Sequence, residues 1–218
     1  MAAPKAPAEE GASAYVSRGG TKLDAALDAF GVFVAGKRAL DAGASTGGFT
    51  DCLLRRGAAR VIAADVAYGQ LAWSLRNDPR VHVLERTNVR ALELATVGEE
   101  PVDLVVADLS FISLATVRDG LVAASTREAD LVLLVKPQFE APRSRVERGG
   151  VVRDPAVWTE TLRRIAGAYR DARCALRGAT PSPLVGPAGN REFFLHLTRN
   201  RGEANDDTAI DRSVGEAP

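Results

Sequence analysis

Two lysines and two carboxylates carry the chemistry legible in this chain: Lys22 in SRGGTKL, Asp108 in VVADLSF, Lys136 in LVLLVKPQFE and Glu192 in GNREFFLHL. A glycine-rich turn, LDAGASTGGFTD, runs between the first two, from Leu40 to Asp51. A lysine whose surroundings favour the neutral amine can take a proton from a weakly acidic hydroxyl, or orient that hydroxyl toward an electrophile. Carboxylates nearby fix where the lysine points. Beside a nucleotide-type turn, this set suggests methyl transfer to a ribose hydroxyl. That reaction needs no metal, and Cys52, Cys174, His82 and His196 offer no zinc-type spacing.

The elements that must position these residues alternate in type. Short apolar runs predict strands at Ala39–Ala42, Arg60–Ala64, Val81–Leu84, Leu104–Ala107, Leu131–Val135, about Ala175–Thr180 and Phe193–Thr198. LVVA and LVLLV are apolar throughout, as strands buried on both faces are. Helical patterns fall at Phe49–Arg56, Gly69–Arg76, Leu114–Ser125 and Pro155–Ala172. The last has Asp154 as N-cap, Pro155 at the first position and a stripe of Trp158, Leu162, Ile165 and Tyr169. An opening helix, Lys22 to Phe30, follows a Thr21-x-x-Asp24 cap pattern. The order predicts a doubly wound, Rossmann-like α/β fold: a seven-stranded, mostly parallel sheet with helices on both faces. The tight VGPAGN turn makes the last strand antiparallel, because a parallel return needs a long crossover.

Gly43, Gly47 and Gly48 let the backbone turn sharply and approach a ligand at the carboxyl edge of such a sheet. The turn lacks the lysine of a triphosphate loop. Asp65, at the end of the second strand, is placed to accept hydrogen bonds from both hydroxyls of a cofactor ribose. The Gly43–Asp65 spacing suits a nicotinamide dinucleotide as well as S-adenosylmethionine. Asn88 either reaches an adenine edge or simply shapes a turn. The plain alternative for the whole stretch is a tight strand–helix connection with a solvated acid.

Asp108 and Lys136 leave buried strands at that same edge, where a charge faces solvent or a cleft. Singly, Asp108 reads as a helix cap and Lys136 as a solvated strand end. Together, with Pro137 fixing the chain after Lys136 and Phe111 close to Asp108, they favour a cleft. Lys22 and Glu192, taken alone, read as surface charge.

The formal net charge is zero, but the acids concentrate at the ends, and the body between is mildly basic. Residues 1–13 are Ala/Pro/Glu-rich and residues 201–218 acidic, and both are expected to be disordered tails around a folded body of residues 14–200. No apolar run approaches the roughly 18 residues of a membrane helix. A cytoplasmic protein with reduced thiols follows.

YVSRGGTKL, LDAGASTGGFTD, ADVAYGQL, ERTNVR, ADLSFISL, VLLVKPQFE, GGVVRD and GPAGNREFF occur in this order over nearly all of Tyr15 to Arg199. In them the chain resembles the TlyA, or hemolysin A, family of ribosomal-RNA 2′-O-methyltransferases, within the FtsJ-like, S-adenosylmethionine-dependent (class I methyltransferase) fold. The resemblance implies cofactor contacts from Gly43, Ala44, Ser45, Thr46, Gly47, Asp65, Asn88 and Asp108. It implies a catalytic set of Lys22, Asp108, Lys136 and Glu192, with Lys136 as the base. It further implies S-adenosyl-L-methionine as cofactor and a cytidine of ribosomal RNA in a ribosomal subunit as substrate. The family's N-terminal S4-type RNA-binding domain is expected to be absent, since a short Ala/Pro-rich stretch precedes Tyr15. Docking would then fall to Arg143, Arg145, Arg148 and Arg153 on phosphates, unless these form an ordinary charged loop. Three other readings stand beside this one: an NAD-dependent oxidoreductase, a catalytically silent cofactor- and RNA-binding module, and a membrane-active protein of the kind the name hemolysin suggests.

Overall fold

The computed structural model of the protein describes residues 14–93, 97–98, 100–199 and 206–217. Its elements in order are α1 (Arg18–Phe30), β1 (Arg38–Ala42), α2 (Gly48–Arg55), β2 (Arg60–Ala64), α3 (Trp73–Arg76), β3 (Val81–Leu84), β4 (Val102–Ala107), α4 (Leu114–Ala123), β5 (Ser125–Val135), α5 (Pro137–Glu140), α6 (Pro155–Asp171), β6 (Cys174–Pro181), β7 (Phe193–Arg199) and α7 (Thr208–Glu216). The seven strands form one sheet in the order β3-β2-β1-β4-β5-β7-β6. β1 to β5 run parallel, and β7 lies antiparallel between β5 and β6.

Helices cover both faces, each with its own core. Leu23, Leu27, Phe49 and Leu53 of α1 and α2 pack on Val61, Leu104, Val132 and Phe194. Leu121, Leu162, Ile165 and Tyr169 of α4 and α6 pack on Leu40, Val105, Leu131 and Leu195. Residues alternating along β5 therefore go to opposite cores, which is why its run is apolar at every position.

Three expectations need correction. The first helix starts at Arg18 with Ser17 before it, so Thr21 lies inside the helix rather than at its cap. Gly19 and Gly20 look like helix breakers but serve close packing: a Cβ on Gly20 would sit 2.3 Å from the Tyr15 ring. The helix expected from Gly69 is confined to Trp73–Arg76. Gly69 has φ 74°, and the Ala72 amide donates to the Thr46 carbonyl at 3.1 Å, so the preceding residues lie over the glycine turn instead. The acidic tail expected to be disordered contains α7. Its Ala209, Ile210 and Ser213 are buried, and α6 supplies Arg163 to Asp211 (2.8 Å) and Arg170 to Asp207 (2.6 Å). Residues 1–13 and 200–205 lie outside the described residues.

The register of β5 also makes a stabilising cluster near the sheet edge opposite the glycine turn. Asp130 accepts from Lys37 Nζ at 2.7 Å and sits 3.0 Å from His196 Nε2. Burial pushes its carboxyl up, but the hydrogen bonds from His196 and Lys37 win and hold it at about 2. Its stabilisation is therefore present above the ordinary carboxylate range and disappears as pH falls through about 2. Asp130→Asn is expected to lower unfolding free energy by about 2 kcal/mol at neutral pH, with a gap that narrows below about pH 4. Urea unfolding across that range checks it; a gap unchanged by acid would refute the assignment.

Candidate active site

The parallel strands β1, β2, β4 and β5 end on the same edge, and each is followed by a residue of the site. After β1 comes the turn Gly43–Gly47. Gly43 has φ 88°, and a Cβ there would stand 2.4 Å from the Asp108 carbonyl oxygen. The turn thus lies directly against the end of β4. Gly47 has φ 99°, and a Cβ would strike Leu75 at 2.3 Å. At Gly43 the clash is with backbone, and at both positions the positive φ strains any residue that carries a β-carbon.

Asp65 follows β2. Its Oδ2 accepts from the Ser45 amide and its Oδ1 from the Ala67 amide, each at 2.8 Å. Each oxygen retains a lone pair for a hydroxyl donor. Asn88 shapes a turn, its Oδ1 capping the 3-10 turn Val89–Ala91 at Arg90 N (3.0 Å), and it also lines the crevice. That crevice, about 380 Å³, runs from Asp65 and Asn88 past Gly43 and Ser45 to Leu109, Phe111 and Ile112.

A second cavity of about 260 Å³ shares Gly43, Ser45 and Asp108 with the first. Lys22, Asp108, Lys136 and Glu192 all line it, together with Ala44 and Thr46. The antiparallel course of β7 is what brings Glu192 here. Phe193 pairs with Val135, so the residue before one strand and the residue after the other meet at the same edge. α1 contributes Lys22 by backing its N-terminal turn onto α2, where a Cβ on Gly48 would touch Ser17 Oγ at 2.1 Å.

The four residues form two ion pairs. Lys22 Nζ donates to Glu192 Oε2 at 2.6 Å, with both residues buried. Lys136 Nζ pairs with Asp108 Oδ1 and donates to Ser110 Oγ at 3.2 Å. Two lysines and two carboxylates thus line one cavity, which adjoins the larger crevice at Gly43, Ser45 and Asp108.

Asp41 and Glu140 are site residues the sequence does not single out, and Phe111, expected only to lie close to Asp108, has a conformation the sequence does not announce. Asp41, in β1, is fully buried; Thr50 Oγ1 donates to its Oδ2 at 2.7 Å, while Oδ1 has no partner among the described residues. Burial pushes its carboxyl up to about 7, against the Thr50 hydrogen bond. The signal was an acid inside an otherwise apolar strand. Phe111 adopts φ 64°, is 90% exposed and packs on Phe139 with ring centroids 4.8 Å apart. A β-carbon-bearing residue held there is strained, a feature that clusters at functional sites. Glu140 was read only as part of KPQFE. The four arginines suggested for phosphate contact do not line either cavity. Arg145 pairs with Asp154 at 3.3 Å and Arg153 with Glu147, whereas Arg143 and Arg148 are exposed with no ion pair among the described residues.

Residues 15–199 match the FtsJ-like methyltransferase family. The 16S/23S rRNA (cytidine-2′-O)-methyltransferase TlyA of Mycobacterium tuberculosis is 54% identical over 209 residues, spanning 94% of this chain and 78% of that protein. The 23S rRNA (cytidine-2′-O)-methyltransferase TlyA of Campylobacter jejuni is 32% identical over 187 residues, 85% of this chain and 72% of its own. A solved structure of a hemolysin-named protein from Streptococcus thermophilus superimposes with a TM-score of 0.91 at 38% identity, over 95% of this chain and 76% of that one.

Proposed function

Because the chain belongs to the FtsJ-like methyltransferase family, we propose that it transfers a methyl group from S-adenosylmethionine to the ribose 2′-hydroxyl of a cytidine in ribosomal RNA. The observation that carries this reading is the meeting of both lysine–carboxylate pairs in one cavity that opens beside the glycine turn.

The residues fit the cofactor. Gly43 lines the crevice with bare backbone packed against the end of β4, Asp65 has lone pairs to spare for ribose hydroxyls, and Leu109 and Ile112 give the crevice an apolar wall for a flat base. When bound, S-adenosylmethionine supplies a methyl group on a sulfonium, an electrophile that needs no metal. Lys136 must first release one of its own protons to solvent; as the neutral amine it then takes the proton of the 2′-hydroxyl while that oxygen bonds to the methyl carbon in place of sulfur, and Asp108 and Ser110 direct its Nζ. Lys22 and Glu192 line the same cavity and restrict where the ribose can sit. Phe111, exposed at the mouth, offers a stacking surface for an unpaired base. Arg143 and Arg148 remain for phosphates, while Arg145 and Arg153 are neutralised by their own neighbours. A ribosomal substrate puts the work in the cytoplasm. Among the described residues no helix is long and apolar enough to cross a membrane.

The test is transfer of labelled methyl to unmodified ribosomal RNA, with nuclease digestion and mass mapping; 2′-O-methylcytidine is the expected product. Binding of S-adenosylhomocysteine with no transfer would instead make this a silent binding module. Asp65→Ala is expected to raise the Kd for S-adenosylhomocysteine about tenfold or more, through lost hydroxyl acceptance and a loosened Ser45 turn. Calorimetric titration checks it; unchanged affinity would put the ribose elsewhere.

A further inference from the structure

We propose that Glu140 is a positioning residue for methyl transfer: its carboxylate ties the loop that carries Lys136 to the loop that carries Asp108. The inference rests on the reading of that lysine and aspartate as the transfer pair. The two loops leave adjacent parallel strands, β4 and β5, where Ala107 pairs with Leu133. Beyond the strands, ladder hydrogen bonds no longer fix their separation. Something else must hold Lys136 Nζ on Asp108.

Glu140 ends α5, four residues after Lys136. Its Oε1 accepts from the Leu114 amide and its Oε2 from Ser113 Oγ, both at 2.7 Å. Arg164 of α6 donates to the same Oε2 at 2.7 Å and to the Glu140 carbonyl at 2.9 Å. The Glu140 side chain is 2% exposed. Both oxygens are therefore used, on groups five and six residues beyond Asp108. The other links between the loops are the Lys136–Asp108 ion pair, which is the contact to be positioned and is more exposed than Glu140, the 3.2 Å Lys136–Ser110 bond, and the stack of Phe139 on the exposed Phe111. Bonds to an ionised carboxylate are roughly twice as strong as neutral ones, so Glu140 is the principal clamp.

A purely structural role as cap of α4 does not account for this arrangement. Ser113 Oγ already accepts from Ala115 N at 3.2 Å and caps that helix. What Glu140 adds is the crossing from one loop to the other. Pro137 stiffens the start of the arm that reaches across.

Glu140→Gln keeps the volume and one acceptor but cannot receive all three donors. A displacement of about 1 Å at a reacting group can cost on the order of a hundredfold in rate, so kcat is expected to fall between about tenfold and a hundredfold. The KM for ribosomal RNA and the Kd for S-adenosylhomocysteine should stay within about twofold, with unfolding still cooperative. Arg164→Met removes the exposed partner but leaves both loop ties, and its kcat should stay within about threefold. Hydrogen exchange gives a reading independent of turnover: in Glu140→Gln, amides in residues 108–114 and 136–141 should exchange faster than in the parent, and those of α4's buried turns should not. A kcat within twofold of the parent, or unchanged exchange in those two loops, overturns the proposal. So does a loss of kcat matched by equal losses in cofactor affinity and stability, since that is what a structural residue does. If the parent chain itself transfers no methyl, the functional reading fails, and the exchange comparison alone decides whether Glu140 clamps the loops.

Discussion

Lys136→Ala is expected to lower kcat by about a thousandfold, within the range of roughly 10² to 10⁴ that positioned acid–base groups contribute. Affinity for S-adenosylhomocysteine should change by less than about twofold. The separation follows from where the side chain lies. Lys136 lines the smaller cavity and not the crevice between Asp65 and Phe111. Its removal leaves the nucleoside surface intact. It also leaves Asp108 without its cation, but the Asp108 side chain is 24% exposed, so water can solvate the carboxylate and the fold survives. Lys136→Arg sharpens the test. Arginine keeps the charge and the Asp108 pair but does not give up a proton at accessible pH. If proton acceptance is the role, Lys136→Arg should be nearly as inactive as Lys136→Ala. Recovery of substantial turnover in the arginine variant would make Lys136 an electrostatic group and remove it as the base. Single-turnover transfer measured beside calorimetric titration gives both readings.

What was legible in the sequence follows from how local each signal is. The apolar run Leu131–Val135 announces a strand buried on both faces, and its end fixes Lys136 at the carboxyl edge. The glycine turn likewise states its own backbone demands, and Gly43 and Gly47 do occupy left-handed conformations. The VGPAGN turn announced the antiparallel last strand, and that reversal is the step that delivers Glu192. Where pairing is long-range, the sequence was silent. Glu140 sits in α5 and its partners lie 24 to 27 residues away, so nothing near it in the chain marks it as a clamp. α7 was missed for a related reason. Residues 201–218 read as an acidic stretch, but Arg163 and Arg170 of α6 pair with Asp211 and Asp207 while Ile210 fills the core. The start of α1 was misplaced because Gly19 and Gly20 look unfavourable until the close approach of Tyr15 and Gly48 is seen.

The buried pair Lys22–Glu192 carries the second large expectation, and it concerns stability and turnover together. Glu192→Ala is expected to destabilise the protein by about 3 to 5 kcal/mol, because it leaves Lys22 uncompensated in a dry wall. Lys22 is 7% exposed and Glu192 3%, so water reaches neither easily. Replacing both partners by apolar residues is a different case. Lys22→Met with Glu192→Leu removes two desolvation penalties at once, and such swaps are often neutral or stabilising. The double variant should therefore recover most of the stability lost in Glu192→Ala, with a large coupling energy in the cycle. It should not recover methyl transfer, because the wall that restricts the ribose would have lost its polar groups. Urea unfolding and transfer assays on the four proteins of the cycle read the two quantities separately. A stable double variant that still transfers methyl at the parent rate would mean the pair does no work in the reaction. A stable and inactive one means that the ion pair is maintained at the expense of stability, for the sake of the site it faces.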